Sequence, residues 1–214
     1  MDARGGGVWG IVVAAGSGDR FGAPKQFCDL AGMRVVDRAL VPVVEVCDGV
    51  VLVLPPGVEW DGVGIPVVGG DSRSASVRAG LARVPPEADV VVVHDAARPL
   101  APRALFDAVI AALRSGVDGA VPAIPMSDTM KRVVDGRVVE TVQREGVMVV
   151  QTPQAFRAEV LRRAHSAGGD ATDDAAFVEG SGGRVVVVPG DPRNIKITGP
   201  TDLVIAAALL EKQQ

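Results

Sequence analysis

From Val12 to Gln26 the chain reads Val12-Val13-Ala14-Ala15-Gly16-Ser17-Gly18-Asp19-Arg20-Phe21-Gly22-Ala23-Pro24-Lys25-Gln26. An apolar, β-branched stretch runs into a glycine-rich loop that carries Arg20 and Lys25. Small residues such as Ala14, Ala15, Gly16 and Gly18 let backbone N–H groups come close to an anion, and successive N–H groups form an anion-binding concavity. Arg20 adds a planar fork of donors and Lys25 a compact point charge. The chemistry on offer is the holding of nucleotide phosphates. A Walker A loop is excluded, because the Gly-Lys-Ser/Thr ending is missing and Lys25 follows Pro24. Gly16, Gly18 and Gly22 approximate a dinucleotide fingerprint, but Pro24 disfavours a helix running through the loop. The next strand ends Val53-Leu54-Pro55-Pro56, without the acid that fingerprint requires. A plain surface turn stays open on the loop alone.

Four further clusters fall at expected strand ends, where open α/β sheets bind their ligands. In Gly69-Gly70-Asp71-Ser72-Arg73-Ser74-Ala75-Ser76-Val77 the paired glycines permit close backbone approach, and Ser72 or Ser76 can hydrogen-bond a base or ribose. A glycine turn followed by a serine-capped helix reads the same way. His94-Asp95-Ala96-Ala97-Arg98-Pro99 follows a valine run and sets Asp95 where it can take Mg²⁺ or a ribose hydroxyl. Arg98 can pair with Asp95 or bind a second phosphate. His94 reads as a satisfied structural histidine, and His165, on a helix with charged neighbours, as a solvated surface residue. Gln151-Thr152-Pro153-Gln154, with Arg144 upstream, is followed by Ala171-Thr172-Asp173-Asp174, where Thr172 can cap a helix, bind an anion at its start, or both. In Asn194-Ile195-Lys196-Ile197-Thr198, Lys196 lies between apolar residues on an expected short strand, a costly place unless it faces an anion or solvent.

The elements that must position these groups alternate. Strand-like runs cover 10–14, 50–54, 66–68, 90–94, 119–122, 147–151 and 184–188; helical patterns cover 35–44, 72–82, 102–113, 158–167, 173–179 and 200–210. Such alternation predicts a single-domain, three-layer α/β fold of Rossmann-like type, with a mostly parallel sheet. One segment departs from it. Residues 131–140 form two short extended runs around Asp135-Gly136, a strong hairpin signal. The hairpin, within a 127–145 arm, has either to lie on the parent domain or to reach a partner subunit.

With 214 residues and 48% hydrophobic side chains, the chain can build one sizeable core. Aromatics make up only 3%, so valine, alanine and leucine must fill that core, and valine-rich runs imply strands buried on both faces. A net charge of −4 argues against a nucleic-acid polymer as partner, so phosphate binding must rest on a few placed cations. Cys28 and Cys47 lack metal-ligand spacing and read as reduced, half-buried thiols of a cytoplasmic protein. The apolar run from Val8 to Ala15 reads as a first strand and not a signal peptide. No stretch approaches the length of a membrane helix.

Seven motifs in this order resemble the family of 2-C-methyl-D-erythritol 4-phosphate cytidylyltransferases: 14–26, 69–81, 94–99, Asp128-Thr129-Met130-Lys131, Thr152-Pro153-Gln154, 171–175 and 194–198. The resemblance implies a nucleotidyltransferase-type fold, a homodimer built through the hairpin arm, and coupling of CTP to a polyol phosphate with Mg²⁺. It implies that Ala14, Ala15, Gly70, Asp71 and Ser76 surround the cytidine, and that Arg20 and Lys25 hold the triphosphate. Asp95, Arg98, Thr172 and Lys196 would meet the acceptor phosphate, with Thr129 and Arg144 arriving from the neighbouring subunit. One departure stands: the stretch from Arg20 to Lys25 is shorter than in many members. Two alternatives remain at this point, a ribitol 5-phosphate cytidylyltransferase and a non-catalytic nucleotide-binding protein.

Overall fold

The computed structural model describes residues 6–16, 18 and 21–211. In chain order the elements are β1 (Val8–Val13), β2 (Asp29–Leu30), β3 (Met33–Arg34), α1 (Val35–Val46), β4 (Gly49–Leu54), β5 (Ile65–Val68), α2 (Arg73–Leu81), β6 (Val90–Asp95), α3 (Arg103–Ala112), β7 (Gly119–Pro125), β8 (Met130–Val134), β9 (Arg137–Val142), β10 (Met148–Val150), β11 (Gln154–Arg157), α4 (Ala158–Ser166), α5 (Asp174–Gly180), β12 (Val185–Pro189) and α6 (Pro200–Glu211). A single turn of 3-10 helix covers Lys25–Phe27. Every strand and helix range in the alternation read from the sequence is recovered, with element ends shifted by one to three residues.

The central strands β5, β4, β1 and β6 run parallel, so their carboxyl ends open on one edge of the sheet. Val13 lies level with Val53 on one side and with Asp95 on the other, so the loops after β1 and β6 leave the sheet side by side. Side chains alternate across this sheet with the period of two that strands impose. Val12, Val50, Leu52, Leu54 and Val92 pack on one face with Val36, Leu40 and Val43 of α1 and Phe106 and Val109 of α3. Ile11, Val51, Val53, Val91 and Val93 pack on the other with Val77 of α2, Leu161 of α4 and Val178 of α5. Removing each such side chain from water contributes about 1.5–3 kcal/mol, opposed by the entropy of ordering it.

Besides the two-residue strands β2 and β3, three features differ from the sequence reading. β11 was not foreseen; it is wedged antiparallel between β6 and β7. It prolongs β10 along the same edge of β7, the pairing slipping by two residues at Thr152-Pro153. Residues 194–198 form no strand; Ile197 is instead plugged into a small core with Leu30, Val35, Leu100 and Ala206. The helix after Thr172 is capped by Asp173, whose carboxylate accepts the Ala176 N–H at 3.0 Å.

The hairpin formed as expected. β8 and β9 pair only with each other, and Asp135 (φ +48°) and Gly136 (φ +75°) supply the paired left-handed residues of a type I′ turn. Its valines 133, 134, 138 and 139 are all more than half exposed.

Candidate active site

Two loops make the first cavity. Behind β1 the chain must turn tightly, and Gly18 at φ +76° does so with its α-carbon so close to Ala23 that a Cβ would sit 2.0 Å from the Ala23 carbonyl oxygen. Phe21 and Gly22 both donate their N–H to the Gly18 carbonyl, at 2.8 and 2.9 Å. Buried Gln26 ties the loop down, donating from Nε2 to the Gly16 carbonyl at 3.1 Å. The 3-10 turn then brings Lys25 onto the cavity wall. The facing wall is Gly69-Gly70. A Cβ on Gly69 would lie 2.4 Å from the Ala15 Cβ, and one on Gly70 2.5 Å from the Ala75 Cβ, so only glycine lets these segments meet. The space between them, about 520 Å³, is lined by Ala14, Ala15, Gly16, Lys25, Gly70, Asp71, Ser76, Asp95 and Lys196, among others. Ser72 serves as the helix cap, accepting the Ala75 N–H at 3.1 Å and donating to Asp170.

A second cavity of about 340 Å³ adjoins the first, lined among others by Arg98, Thr152 and Thr172. Arg73, Asp95 and Lys196 line both. Asp95, at the end of β6, holds the Lys196 ammonium with Oδ2 (2.6 Å) and the Arg73 Nε with Oδ1 (3.1 Å). Arg73 reaches on from Nη1 to Asp174 Oδ2 (2.9 Å), whose other oxygen meets His165 Nε2 at 3.0 Å. Burial alone would raise the Asp95 pKa, but the Arg73 and Lys196 cations outweigh it and hold the carboxyl well below the usual carboxylate range. Arg98 does not bond Asp95; it donates to the Asn194 carbonyl (2.7 Å) and the Val150 carbonyl (3.4 Å). Burial lowers its pKa, while the charge of nearby Asp95 works the other way.

His94 is a structural residue, as its sequence setting implies. The Thr152 hydroxyl accepts the Asp95 N–H (3.0 Å) and lies 3.1 Å from His94 Nδ1, while His94 Nε2 lies 3.2 Å from the Arg98 carbonyl. One tautomer satisfies all three contacts: Thr152 donates to Nδ1, and Nε2–H donates to Arg98. Burial pushes the imidazole down to about 4 against an ordinary 6.5. Because the folded value lies below the unfolded one, the unfolded chain takes up this proton first as pH falls. Stability is therefore lost between the two values, by about 2 kcal/mol from pH 7 to pH 5. Urea unfolding at both pH values measures this, and His94→Gln is expected to flatten the slope. An undiminished slope in that variant would assign the loss to other groups.

The expected residues thus gather at one edge, with four exceptions, the first being Gly18, which shapes the loop but lines neither cavity. Arg20 lies outside the described residues. Thr129 and Arg144 sit exposed in the arm, just outside the paired strands, and line neither cavity; Arg144 donates to the Ser127 carbonyl at 2.5 Å. His165 is corrected: it is buried at 3% exposure against Asp174 and Phe177 and is not a surface residue. Gln26, Arg73 and Asp174 were not singled out as site residues from the sequence, although Arg73 stands inside the glycine-serine motif. Among the described residues no three His, Cys, Asp or Glu side chains gather as a metal cage.

The profile of the 2-C-methyl-D-erythritol 4-phosphate cytidylyltransferase family matches residues 8–212. A Rhodococcus jostii protein of that name is 46% identical over 217 residues, covering 96% of each chain. A bifunctional enzyme IspD/IspF of Anaeromyxobacter dehalogenans is 46% identical over 228 residues, and the match spans 97% of this chain but 58% of that protein. The crystal structure of the Thermus thermophilus cytidylyltransferase superposes with a TM-score of 0.83 at 35% identity, covering 94% of this chain and 98% of that one.

Proposed function

The chain belongs to the 2-C-methyl-D-erythritol 4-phosphate cytidylyltransferase family, and from its site we propose that it couples CTP to 2-C-methyl-D-erythritol 4-phosphate, releasing pyrophosphate. One observation carries the residue assignment: two cavities share a wall made of Arg73, Asp95 and Lys196. The glycine-walled cavity with Lys25 suits a nucleoside triphosphate, with Ala14, Ala15, Gly16, Gly70, Asp71 and Ser76 around it and Gly18 shaping the loop behind it. The cavity with Arg98, Thr152 and Thr172 suits a phosphate-bearing acceptor.

In this reading an oxygen of the acceptor phosphate attacks the α-phosphorus of CTP, a new P–O bond forms, and the bond to pyrophosphate breaks. A phosphate is already largely ionised near pH 7, so the step needs no general base. That agrees with His94, whose ring nitrogens are both engaged inside the protein. The task is to bring two polyanions together, and Lys25, Lys196 and Arg20 neutralise their repulsion and the charge growing in the transition state. Positioning by the shared wall supplies much of the rest. Mg²⁺ would be carried mainly by the substrate phosphates, where it would neutralise their charge; Asp95 would assist by exchanging one of the two cations that engage its oxygens, Arg73 and Lys196, for the ion.

Thr129 and Arg144 complete the acceptor site from a second copy of the chain, which makes the working unit a homodimer. Support comes from their exposure outside both cavities of their own chain and from the bare valines of the arm. The cytoplasm is the compartment we propose. The half-buried Cys47 thiol is pushed up to about 12 by desolvation and by Asp48, so it is protonated at neutral pH. No helix among the described residues is long and apolar enough to cross a membrane.

Pyrophosphate release tests the reading. With CTP and Mg²⁺, turnover is expected with methylerythritol phosphate in clear excess over ribitol 5-phosphate, and is expected to stop in excess chelator. UTP should be at least about a hundredfold poorer, because a site that hydrogen-bonds one base edge leaves its groups unpaired against the other. Equal use of UTP would remove Gly69-Gly70 and Ser76 from base recognition, and preference for ribitol phosphate would overturn the acceptor.

A further inference from the structure

Lys196, Asp95, Arg73, Asp174 and His165 form one continuous string of ion pairs and hydrogen bonds running from the shared wall into the protein. Its inner end lies away from both cavities: Asp174 is fully buried and lines neither, and His165, 3% exposed, borders a separate cavity beside Arg78 and Arg162. Two carboxylates are therefore committed to one guanidinium, and Arg73 Nη2 still has no hydrogen-bond partner among the described residues. Buried ion pairs are weak sources of stability, and apolar side chains would fill such a space at no loss. An unanswered buried donor adds a further cost. The arrangement does achieve rigidity. Arg73 is gripped by Asp174 through Nη1 and by Asp95 through Nε, so its planar group cannot turn without breaking one of them. Asp95 Oδ1 is thereby fixed, leaving Oδ2 aimed at the Lys196 ammonium, whose side chain is otherwise 40% exposed.

We propose that Arg73, anchored from behind by Asp174 and His165, is a positioning residue that holds Asp95, and through it Lys196, at the boundary between the nucleotide and acceptor cavities. The proposal rests on the reading of those cavities given above. Without Arg73 the Asp95 carboxylate is free to rotate, and Lys196 returns to solvent before the acceptor binds. The loss falls mainly on the acceptor and the transfer step, because the glycine walls of the nucleotide cavity keep their shape even though Arg73, Asp95 and Lys196 also border it.

Arg73→Lys and Asp174→Asn in the full chain test this. Lysine keeps the charge but cannot grip both carboxylates at once; asparagine keeps the shape of the anchor without its charge. Wild-type turnover of CTP and acceptor is established first, and its absence would fault the functional reading rather than this proposal. Both variants are expected to lower kcat/KM for the acceptor about tenfold or more, the scale of a misplaced contact, with KM for CTP within about twofold of wild type. In an Asp95→Asn background Arg73→Lys should add no further loss, because it acts through Asp95. Losses shared equally by CTP and acceptor, additive losses in the double variant, or wild-type kinetics from the folded fraction would each overturn the proposal. Should Asp174→Asn fail to fold, Arg73→Lys carries the same readout.

Discussion

Lys25→Ala is expected to lower kcat/KM for CTP by about a hundredfold or more, the effect of losing one preorganised charge at a transition state. The residue sits in the short 3-10 turn that follows the glycine loop, and it lines the nucleotide cavity. Its charge is also felt at Asp202, which is held below the usual carboxylate range first by its hydrogen bonds with Thr198 and Gly199, with Lys25 adding to the effect. Gly22, Ala23 and Pro24 just before it are exposed, so the segment contributes little packing. The variant should accordingly melt within a few degrees of wild type. Its deficit should appear in kcat, because the negative charge on the departing pyrophosphate grows only as the bond breaks. A variant that keeps near-normal turnover would mean that the shortened stretch from Arg20 to Lys25 carries its lysine away from the phosphates. Arg20→Ala is expected to act alike, from its place in the loop sequence.

Most of the architecture was legible in the sequence, for an identifiable reason. Val50–Leu54 and Val90–Val93 are apolar at every position, which is what strands buried on both faces require, and in the fold all but Val90 are indeed buried. β11 escaped because its four residues begin after a proline and end on an arginine. Its antiparallel place between β6 and β7 is set by pairing partners distant in the chain. His165 was misread from its neighbours Arg162 and Arg163. The helical period held the better signal, since Ala158, Leu161 and His165 fall on one face, and that face is the buried one of α4.

The site divides in the same way. The glycine loops and the acid at the end of β6 announce themselves locally, because close backbone approach and strand-end position leave a mark in adjacent residues. The string behind them does not. Asp95 and Lys196 are 101 residues apart, as are Arg73 and Asp174, and no local pattern couples them. Arg73 at a helix start looks like any solvated arginine until the sheet brings Asp95 beside it. Thr129 and Arg144 show the reverse case. The family resemblance names them, yet within one chain they lie apart from both cavities.

That separation motivates the second large effect, which is expected between subunits. Arg144→Ala and Lys196→Ala should each be nearly inactive as homodimers, since an acceptor phosphate caught between subunits loses one of its cations either way. In the proposed dimer Arg144 would grip such a phosphate through two parallel donors, which alanine cannot replace. Mixed and refolded together, the two variants should regain activity. In the proposed dimer a heterodimer would hold one site carrying both defects and one carrying neither, because the intact Lys196 of one subunit would face the intact Arg144 of the other. Random assortment makes about half of the dimers mixed, so recovery should approach about a quarter of wild-type sites for independent sites and free exchange. The exposed valines of the arm supply the apolar surface such a partner would cover, and a two-stranded hairpin on its own is at best marginally stable in water. No recovery in a mixture shown to contain heterodimers would place both residues in one subunit's site, and the arm would then have to fold back onto its own chain to deliver Arg144.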